Sequence, residues 1–338
     1  MNKKKVIIIG EIGVNHNGNI NTAKKLIIVA KKAGCDFVKF QSFKAVNLVK
    51  QETGIAGYQK NNLKKKNIKQ IDMLKQYELS VDDHKKIINF CKRKKIKFLS
   101  SPFDTDSLKL LFKLGVKNIK IASGEITHYP LLRDIGKRAK KVFLSTGMAN
   151  LAEIKSALKI LTKNGLKKKN IIILHCHSDY PTKLKDVNLN VLKSIKKDLK
   201  VEVGYSDHTL GFETAVSAVA MGARVIEKHI TLNQNMIGPD HKASMEPKKF
   251  FQFTNSIRNT EKLLGSNNKI PTKTELKTRK IVRKSIVAKF EIKKGELFCE
   301  KNIISKRPEG GISPLKWKKV VGKRSKYNFK KDDFIKLQ

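Results

Sequence analysis

Over the first 265 residues, short β-rich runs alternate with segments of helical periodicity, and few folds accommodate such a repeat. The eight β-rich runs lie at 6–13, 37–43, 97–103, 118–125, 141–147, 171–181, 201–209 and 224–232. Apolar residues recur at helical spacing between them, for example at 22–34, 107–115, 151–165 and 213–223, and several of these segments end beside a glycine. Eight strand-then-helix units predict an α/β fold, a closed (β/α)8 TIM barrel over residues 1–265.

An open, doubly wound sheet is the alternative arrangement of such units. It is less favoured because the first unit carries EIGVNHNG (11–18) where a dinucleotide-binding sheet carries G-x-G-x-x-G. After the second strand, an insertion from 44 to about 80 contains the run Lys64–Lys66, which is typical of a solvated loop. Residues 266–280 are polar and predict a linker, and the turn glycines and short β runs of 281–338 predict a second, small β-rich domain.

The chain is strongly basic, with 73 Lys and Arg against 29 Asp and Glu and a formal net charge of +44. The basic residues are mostly lysines spread over every predicted helix and loop, so solvated faces are favoured over a nucleic-acid surface. A lysine-rich binder of anionic polymers stays open as an alternative. Four widely spaced cysteines, no signal-peptide pattern and no long apolar run predict a cytoplasmic protein that does not span a membrane.

Polar side chains end all eight predicted strands. They are Glu11, Lys39 with Gln41, Ser100 with Ser101, Lys120 with Ser123 and Glu125, Ser145, Tyr180, Ser206 with His208, and His229. The C-terminal ends of the strands meet at one mouth of a TIM barrel, so we expect these side chains to share a site. Asp207 alternates with Ser206 and His208, and we expect it to face away from the mouth and support the barrel wall.

Lys39 and Lys120 place two ammonium groups near the predicted barrel axis. Buried charge is costly without a counter-ion, so the two lysines imply an anionic ligand, and the serine hydroxyls suit phosphate or carboxylate oxygens. The alternative is that the lysines pair with Glu11 and Glu125 in ion pairs that serve only the structure.

His208 and His229 end neighbouring strands and are candidate ligands of one divalent metal, in a mouth that also holds Glu11 and Asp240. A second pair, His175 and His177, has an H-x-H spacing that places both rings on one face, as in barrel metallohydrolases. Those hydrolases carry the pair on their first strand, which has none here. A metallohydrolase using His175 and His177 stays open as an alternative.

Ten motifs follow one another in order along nearly the whole chain. They are EIGVNHNG (11–18), KFQSF (39–43), SSPFD (100–104), KIASGE (120–125), LSTGM (144–148), HCHSDYP (175–181), GYSDHT (204–209), EKHITL (227–232), GPDHKAS (238–244) and KRPEGGIS (306–313). Together they resemble the sialic acid synthase family, and residues 281–338 resemble its antifreeze-like (SAF) domain. The resemblance implies a synthase of the N-acetylneuraminate type. Such an enzyme condenses phosphoenolpyruvate, an N-acetylated mannose-type sugar and water into a nine-carbon 2-keto acid and phosphate, with C–O cleavage.

The resemblance also implies roles for the residues singled out above. Phosphoenolpyruvate would bind Lys39, Ser101, Lys120, Ser123, Ser145 and Ser206, and a divalent metal, Mn²⁺ or Mg²⁺, would bind His208 and His229. The sugar hydroxyls and proton transfers would fall to Glu11, Gln41, Glu125, Tyr180 and Asp240, with the individual roles undivided. Arg307 matches an arginine that contacts the sugar's N-acetyl group in the partner subunit's barrel, which implies a domain-exchanged homodimer.

The sequence departs from the family pattern at two sites. Ser101 stands where the family usually has threonine, and HCHSDYP has His177 and Ser178 where the HCTN-x-YP form has threonine and a sugar-binding asparagine. Several motifs are closer to the N,N′-diacetyllegionaminate synthase branch, whose sugar is 2,4-diacetamido-2,4,6-trideoxymannose. That sugar suits a less polar pocket than N-acetylmannosamine does. The choice between these two sugars stays open.

Overall fold

Eight parallel strands close into a barrel in chain order in the computed structural model, which describes residues 5–55, 57, 59, 62 and 69–337. The strands are β1 (Ile7–Gly13), β2 (Phe37–Ser42), β3 (Lys97–Pro102), β4 (Asn118–Ile121), β5 (Lys141–Ser145), β6 (Ile171–Cys176), β7 (Glu202–Asp207) and β8 (Val225–His229). β1 pairs with both β2 and β8 and so closes the sheet. The predicted TIM barrel is confirmed, and the open sheet is excluded.

Seven of the eight strands end earlier than the sequence predicts, and β4 and β6 do so by four residues or more. β4 stops at Ile121, and Ser123–Glu125 form a short 3-10 turn because the Glu125 amide donates to the carbonyl of Ala122. β6 stops at Cys176, so Tyr180 lies in the following loop and not on a strand. Both segments still lie at the C-terminal end of the barrel.

Most helices of the first 265 residues cover the outside of the barrel, and two short ones belong to the insertion after β2. The helices are α1 (Ile20–Lys32), α2 (Ala45–Leu48), α3 (Gln70–Lys75), α4 (Val81–Arg93), α5 (Thr105–Lys113), α6 (Tyr129–Arg138), α7 (Leu151–Lys163), α8 (Val191–Leu199), α9 (Glu213–Ala220) and α10 (Pro247–Leu263). Polar caps fix several of their starts: the Asp104 side chain accepts from the Ser107 amide at 2.8 Å, and Asn150 with Glu153 forms a reciprocal capping box. Within the described part of the chain, no helix is long and apolar enough to cross a membrane.

Apolar side chains fill the lower part of the barrel interior. Ile9, Phe37, Leu99, Phe143, Ile172, Leu174 and Val225 form one buried cluster inside the strands, separate from the larger core between strands and helices. Side chains alternate along a strand, so two residues further on, Ile9 is followed by Glu11, Phe37 by Lys39 and Val225 by Glu227. This apolar plug therefore supports a polar floor above it.

The insertion after β2 contains α2 and α3 and has its own apolar cluster. Its buried members are Val14, Phe43, Ala45, Ile55, Ile71, Met73, Leu74 and Tyr77. The predicted lysine loop, Lys64–Lys66, lies outside the described residues.

The chain divides between Gly265 and Ser266 into two compact units. The second has α11 (Lys273–Val282), the antiparallel strands β9 (Ser285–Ala288) and β10 (Ile303–Lys306), and the short α12 (Trp317–Val320). The segment predicted as a linker thus includes most of a helix, which begins at a capping box formed by Thr272 and Glu275. Arg279 of this helix pairs with Glu309 at 2.6 Å and ties the helix to the loop that carries Arg307.

Candidate active site

A cavity of about 530 Å³ opens at the C-terminal mouth of the barrel. The structure places around it most of the residues that the sequence singled out: Glu11, Lys39, Gln41, Lys120, Ser123, Glu125, Ser145, Ser178, Tyr180, Ser206, His208, His229 and Asp240. Ser101 does not line the cavity, but its hydroxyl lies 3.4 Å from the Lys39 ammonium. Arg307 belongs to the second unit.

Two lysines and two glutamates form a buried charge cluster at the floor of this cavity. Lys39 Nζ lies 3.0 Å from Glu11 Oε1 and 3.5 Å from Glu227 Oε1, and Lys120 Nζ lies 3.5 Å from the same oxygen of Glu227. The expected structural pairing holds for Lys39 and Glu11 only. Glu125 instead bonds to His128, at 2.7 Å.

Glu227 is the central member of this cluster, and the sequence reasoning missed it. It is 2% exposed, and its carboxylate accepts a hydrogen bond from Ser206 Oγ at 2.9 Å. The signal was present in RVIEKHITL (224–232), because the alternation that points His229 into the mouth also points Glu227 there. Glu227 lies two positions before His229, the last residue of β8, so the residues at the strand ends alone do not reveal it.

The two glutamates differ in protonation. Burial is the largest influence on Glu11 and raises its pKa from 4.5 to about 7 despite Lys39 beside it. Burial would also raise the pKa of Glu227, but Lys120, Lys39 and Ser206 together hold it below its ordinary value. Burial lowers the pKa of Lys120, and Glu227 only partly offsets this. At neutral pH, Glu11 is partly protonated. The negative charge of Glu11 and Glu227 therefore does not fully balance the positive charge of Lys39 and Lys120.

Several polar atoms of this floor have no hydrogen-bond partner. Within the described residues, the unpartnered atoms that line the cavity are Glu11 Oε2, Ser145 Oγ, Glu227 Oε2 and His229 Nδ1. Buried polar atoms are seldom left unpaired in folded proteins, and each one costs about 1–3 kcal/mol. Unpaired groups gathered in one cavity therefore indicate a place for a polar ligand.

His208 and His229 face each other at the mouth, with ring centroids 5.4 Å apart. His208 Nδ1 lies 2.6 Å from the carbonyl of His177, to which it donates, and this leaves Nε2 as the unprotonated nitrogen. Burial lowers the pKa of His208 to about 4 and that of His229 well below its usual range. Both rings are therefore neutral at pH 7, the form in which imidazole binds a metal.

The two histidines fit a divalent ion as part of a ligand set. His229 Nδ1 is buried without a partner, and Asp240 Oδ2 lies 4.0 Å from it. No group of three or more His, Cys, Asp or Glu poised to hold a metal occurs in the part of the chain that the structure describes. Two imidazoles would leave the remaining coordination positions to water and substrate, the open arrangement that catalytic metals have.

The second histidine pair lies elsewhere. His175 alternates with the inward-facing Leu174 and Cys176, so its ring lies outside the barrel, packs against Tyr205 and bonds through Nε2 to the carbonyl of Val187 at 2.9 Å. Neither His175 nor His177 lines the cavity. The expectation that both rings share a face of one site is therefore wrong, because β6 ends at Cys176 and its alternation does not extend to His177.

The outer side of β7 and β8 carries a separate ion pair. Asp207 faces away from the mouth, as the alternation predicts, and its Oδ2 lies 2.8 Å from Lys228 Nζ. Asp207 Oδ1 accepts from the amide and hydroxyl of Thr209, and Lys228 also donates to the Thr209 carbonyl. The bonds connect the ends of the two strands that carry His208 and His229.

The loops after β1 and β8 also fasten to each other. The Asn15 side chain donates to the Ile230 carbonyl at 2.9 Å and to Ser244 Oγ at 2.7 Å, and Ser244 Oγ donates to the Asp240 carbonyl at 2.7 Å. The motifs EIGVNHNG and GPDHKAS thus hold Asp240 beside His229.

The chain is similar to known proteins over nearly its full length. Residues 26–269 match the NeuB family and residues 283–338 match the SAF domain. It is 49% identical to the N,N′-diacetyllegionaminic acid synthase of Campylobacter jejuni, over 98% of this chain and 99% of that protein. It is 42% identical to the enzyme of the same name from Legionella pneumophila, over 95% and 90% of the two chains.

A solved structure agrees with these matches. The N-acetylneuraminic acid synthetase of Leptospira borgpetersenii, in complex with citrate, superposes with a TM-score of 0.70 at 32% identity, over 81% of this chain and 90% of that one. With the family matched over most of the barrel and relatives matched from end to end, the chain belongs to the NeuB family of sialic acid synthases and carries its SAF domain.

Proposed function

We propose that the protein condenses phosphoenolpyruvate with an N-acetylated mannose-type sugar and water to form a nine-carbon 2-keto acid and phosphate. The sugar is N-acetylmannosamine or 2,4-diacetamido-2,4,6-trideoxymannose. The observation that carries the proposal is the cavity floor, where two buried lysines lie among unpartnered serine and carboxylate atoms, beside two neutral histidines. Relatives named N,N′-diacetyllegionaminic acid synthase and N-acetylneuraminate-9-phosphate synthase support it.

Phosphoenolpyruvate lies on the floor, where its phosphate and carboxylate engage Lys39 and Lys120. Ser123, Ser145 and Ser206 donate further hydrogen bonds to these oxygens, and Ser101 supports Lys39 from 3.4 Å. Anion binding supplies the counter-charge that the two lysines lack. The pKa of Lys120, which burial lowers, then rises and its charged form is stabilised.

The carbon–carbon bond forms between carbon 3 of phosphoenolpyruvate and the aldehyde carbon of the open-chain sugar. The cationic centre left at carbon 2 adds water, and the tetrahedral adduct breaks its C–O bond and expels phosphate. A divalent ion, Mn²⁺ or Mg²⁺, held by His208 and His229, supplies Lewis-acid polarisation of the aldehyde oxygen when bound. The new alkoxide takes up a proton and the attacking water loses one, so the step needs groups that titrate near neutral pH.

Two carboxyl groups of the cavity meet that need. Burial raises the pKa of Asp240 to about 6 and that of Glu11 to about 7, values at which a carboxyl group both accepts and releases a proton near pH 7. Glu125, Gln41, Ser178 and Tyr180 line the same cavity and bind the sugar hydroxyls.

The test is phosphate release and product mass. Release should require phosphoenolpyruvate, sugar and Mn²⁺ or Mg²⁺ together, and mass analysis should find the nine-carbon acid. With ¹⁸O in the bridging oxygen of phosphoenolpyruvate, the label should leave in phosphate. Phosphate release without the sugar, or label retained in the acid, would contradict the proposal. Activity that survives exhaustive chelation, or His208→Ala, would contradict the metal assignment.

We also propose that the protein is a domain-exchanged homodimer. Exposed apolar side chains follow β4 to β8 at the barrel mouth, one from each loop: Tyr129, Met148, Leu184, Leu210 and Ile237. Exposed apolar side chains grouped in this way favour contact with another protein surface. We propose that the C-terminal unit of a second copy, which carries Arg307, covers them. Mixing inactive Arg307→Ala and Lys120→Ala variants should restore activity in mixed dimers, and no recovery would contradict the exchange.

The proposed location is the cytoplasm. The described cysteines are all free thiols, and phosphoenolpyruvate is a metabolite of that compartment.

A further inference from the structure

Glu125 differs from the other described carboxyl groups of the cavity because it is hydrogen-bonded to a histidine. It lies in the 3-10 turn after β4 and lines the cavity. His128 immediately precedes α6, and its Nδ1 lies 2.7 Å from Glu125 Oε2. The His128 amide also donates to the Glu125 carbonyl at 3.0 Å, so the backbone and the side chain together hold the imidazole beside the carboxylate.

The two members of this pair have different surroundings. The Glu125 side chain is 11% exposed and faces the cavity, whereas the His128 side chain is 33% exposed and does not line it. The bond to His128 occupies Oε2 of Glu125, so Oε1 is the oxygen available to a ligand in the cavity. The half-exposed imidazole exchanges protons with water while the carboxylate faces the substrate.

The imidazole controls the charge of Glu125. Burial is the largest influence on Glu125 and raises its pKa, and the hydrogen bond and charge of His128 lower it. Asp104, on the loop after β3, adds a smaller upward influence on the pKa. As the pH falls, the pair takes up its first proton on the imidazole, which is the more basic group. Glu125 therefore stays ionised at pH values where burial alone would protonate it.

We infer that His128 is a positioning residue that keeps Glu125 ionised, so that Glu125 accepts hydrogen bonds from the sugar hydroxyl groups. The inference rests on the proposed function and separates the role of Glu125 from that of Glu11, whose carboxyl group is suited to proton transfer. An ionised carboxylate only accepts hydrogen bonds, whereas a protonated one carries a hydrogen on one oxygen and accepts fewer. Sugar binding should therefore weaken when Glu125 takes up a proton.

The test measures KM for the sugar between pH 5 and pH 8.5 in wild type and in His128→Leu. The variant keeps the burial of Glu125 and loses the group that lowers its pKa. The rise in KM toward acid pH should therefore begin about one pH unit higher than in wild type. At the pH where the wild-type KM has doubled, KM should be about fivefold higher in the variant, and at pH 8.5 the two should differ by less than about twofold. His128→Asn keeps a donor without a charge, and its rise should begin between the two.

Three controls distinguish this role from a structural one. KM for phosphoenolpyruvate should stay unchanged in His128→Leu, because a displaced 3-10 turn would move Ser123 as well as Glu125. Arg133→Gln is the matched control: Arg133 lies on α6 and pairs with Asp134 at 2.8 Å, so the variant removes a positive charge that does not pair with Glu125. It should leave the pH dependence of KM unchanged. In a Glu125→Gln background, His128→Leu should have no further effect on that pH dependence.

The possible results distinguish the role of His128 from the proposed function. If wild type makes a nine-carbon acid and the pH dependence of the sugar KM is the same in His128→Leu, the role of His128 is overturned and the proposed function stands. An equal shift in Arg133→Gln, or an equal rise in KM for phosphoenolpyruvate, also overturns the role, because the effect is then not specific to Glu125. If wild type makes no nine-carbon acid from either sugar, the proposed function and the role of His128 are both wrong.

Discussion

The inner and outer faces of β7 and β8 carry the same kinds of charged residue in opposite states. On the outer face, Asp207 and Lys228 are about 1% exposed, lie 2.8 Å apart and make further hydrogen bonds to Thr209. On the inner face, Glu227 lies 3.5 Å from each of two lysines and keeps one oxygen without a partner. Burial is equal on the two faces, but hydrogen-bond satisfaction is not.

This difference separates structural charge from functional charge. A buried pair with its hydrogen bonds made offsets its own desolvation and fixes two strands relative to each other. A buried cluster with loose distances and unpaired atoms leaves desolvation uncompensated until a ligand arrives. Lys228 should therefore matter for folding, and Lys120 for binding and catalysis.

The sharpest way to break this comparison is Lys228→Met. Removing the lysine leaves the Asp207 carboxylate buried without its counter-ion, and the free energy of unfolding should fall by about 3–5 kcal/mol. Urea denaturation measures the loss. The double variant Asp207→Leu/Lys228→Met should recover most of it, because it removes both charges. A fall below about 1 kcal/mol in the single variant would contradict a structural role for the pair.

Lys120→Met is the inner counterpart. Without this ammonium group the proposed phosphoenolpyruvate site loses a charge-assisted donor, and kcat/KM should fall by about 100- to 1000-fold. The free energy of unfolding should stay unchanged or rise, because Glu227 keeps Lys39 and Ser206 as partners. Steady-state kinetics and urea denaturation of the same preparation check both parts. A loss of stability as large as that of Lys228→Met would mean that the two lysines do not differ in role.

The variant Glu11→Gln tests the inner charge cluster through the pH dependence of the free energy of unfolding. The folded-state pKa of Glu11 lies at about 7, above its ordinary value of 4.5, so the folded chain binds its proton more tightly than the unfolded chain does. The stability that this tighter proton binding at Glu11 contributes is fully present below pH 4.5 and is lost as pH rises through 7. The stability of wild type relative to Glu11→Gln should thus fall by on the order of 2 kcal/mol between pH 5 and pH 8. A difference that does not vary with pH would contradict the raised pKa.

The barrel was predictable because its signals are local and repeated. Eight apolar runs, helical periodicity and capping residues such as Asn150 each specify their own element, and the strand count then closes the sheet. Residues at strand ends could likewise be assigned to one mouth. Glu227 also followed from alternation, but only if the strand is traced below its end.

The apolar side chains that the insertion after β2 contributes to the cavity could not be predicted in the same way. Leu48 and Tyr77 are separated by 29 positions in an insertion without the strand–helix repeat, and their shared cavity depends on long-range packing of a small cluster. The prediction that His175 and His177 share one face was wrong for a related reason. An H-x-H spacing fixes a common face only within a strand, and β6 ends between the two histidines.

His177→Ala gives the smallest expected effect and tests one alternative that the sequence leaves open, a metallohydrolase using His175 and His177. The bond that orients His208 comes from the backbone carbonyl of His177, which alanine keeps, and the imidazole of His177 lies outside the cavity with its Nδ1 already unpartnered. Condensing activity should therefore stay within about threefold of wild type, since a side chain without specific contacts contributes little. Phosphate release under saturating substrates measures it, with His208→Ala as the inactive control. An equal loss of activity in both variants would indicate that His175 and His177 belong to the active site. It would contradict the assignment of His208 and His229 as the metal ligands.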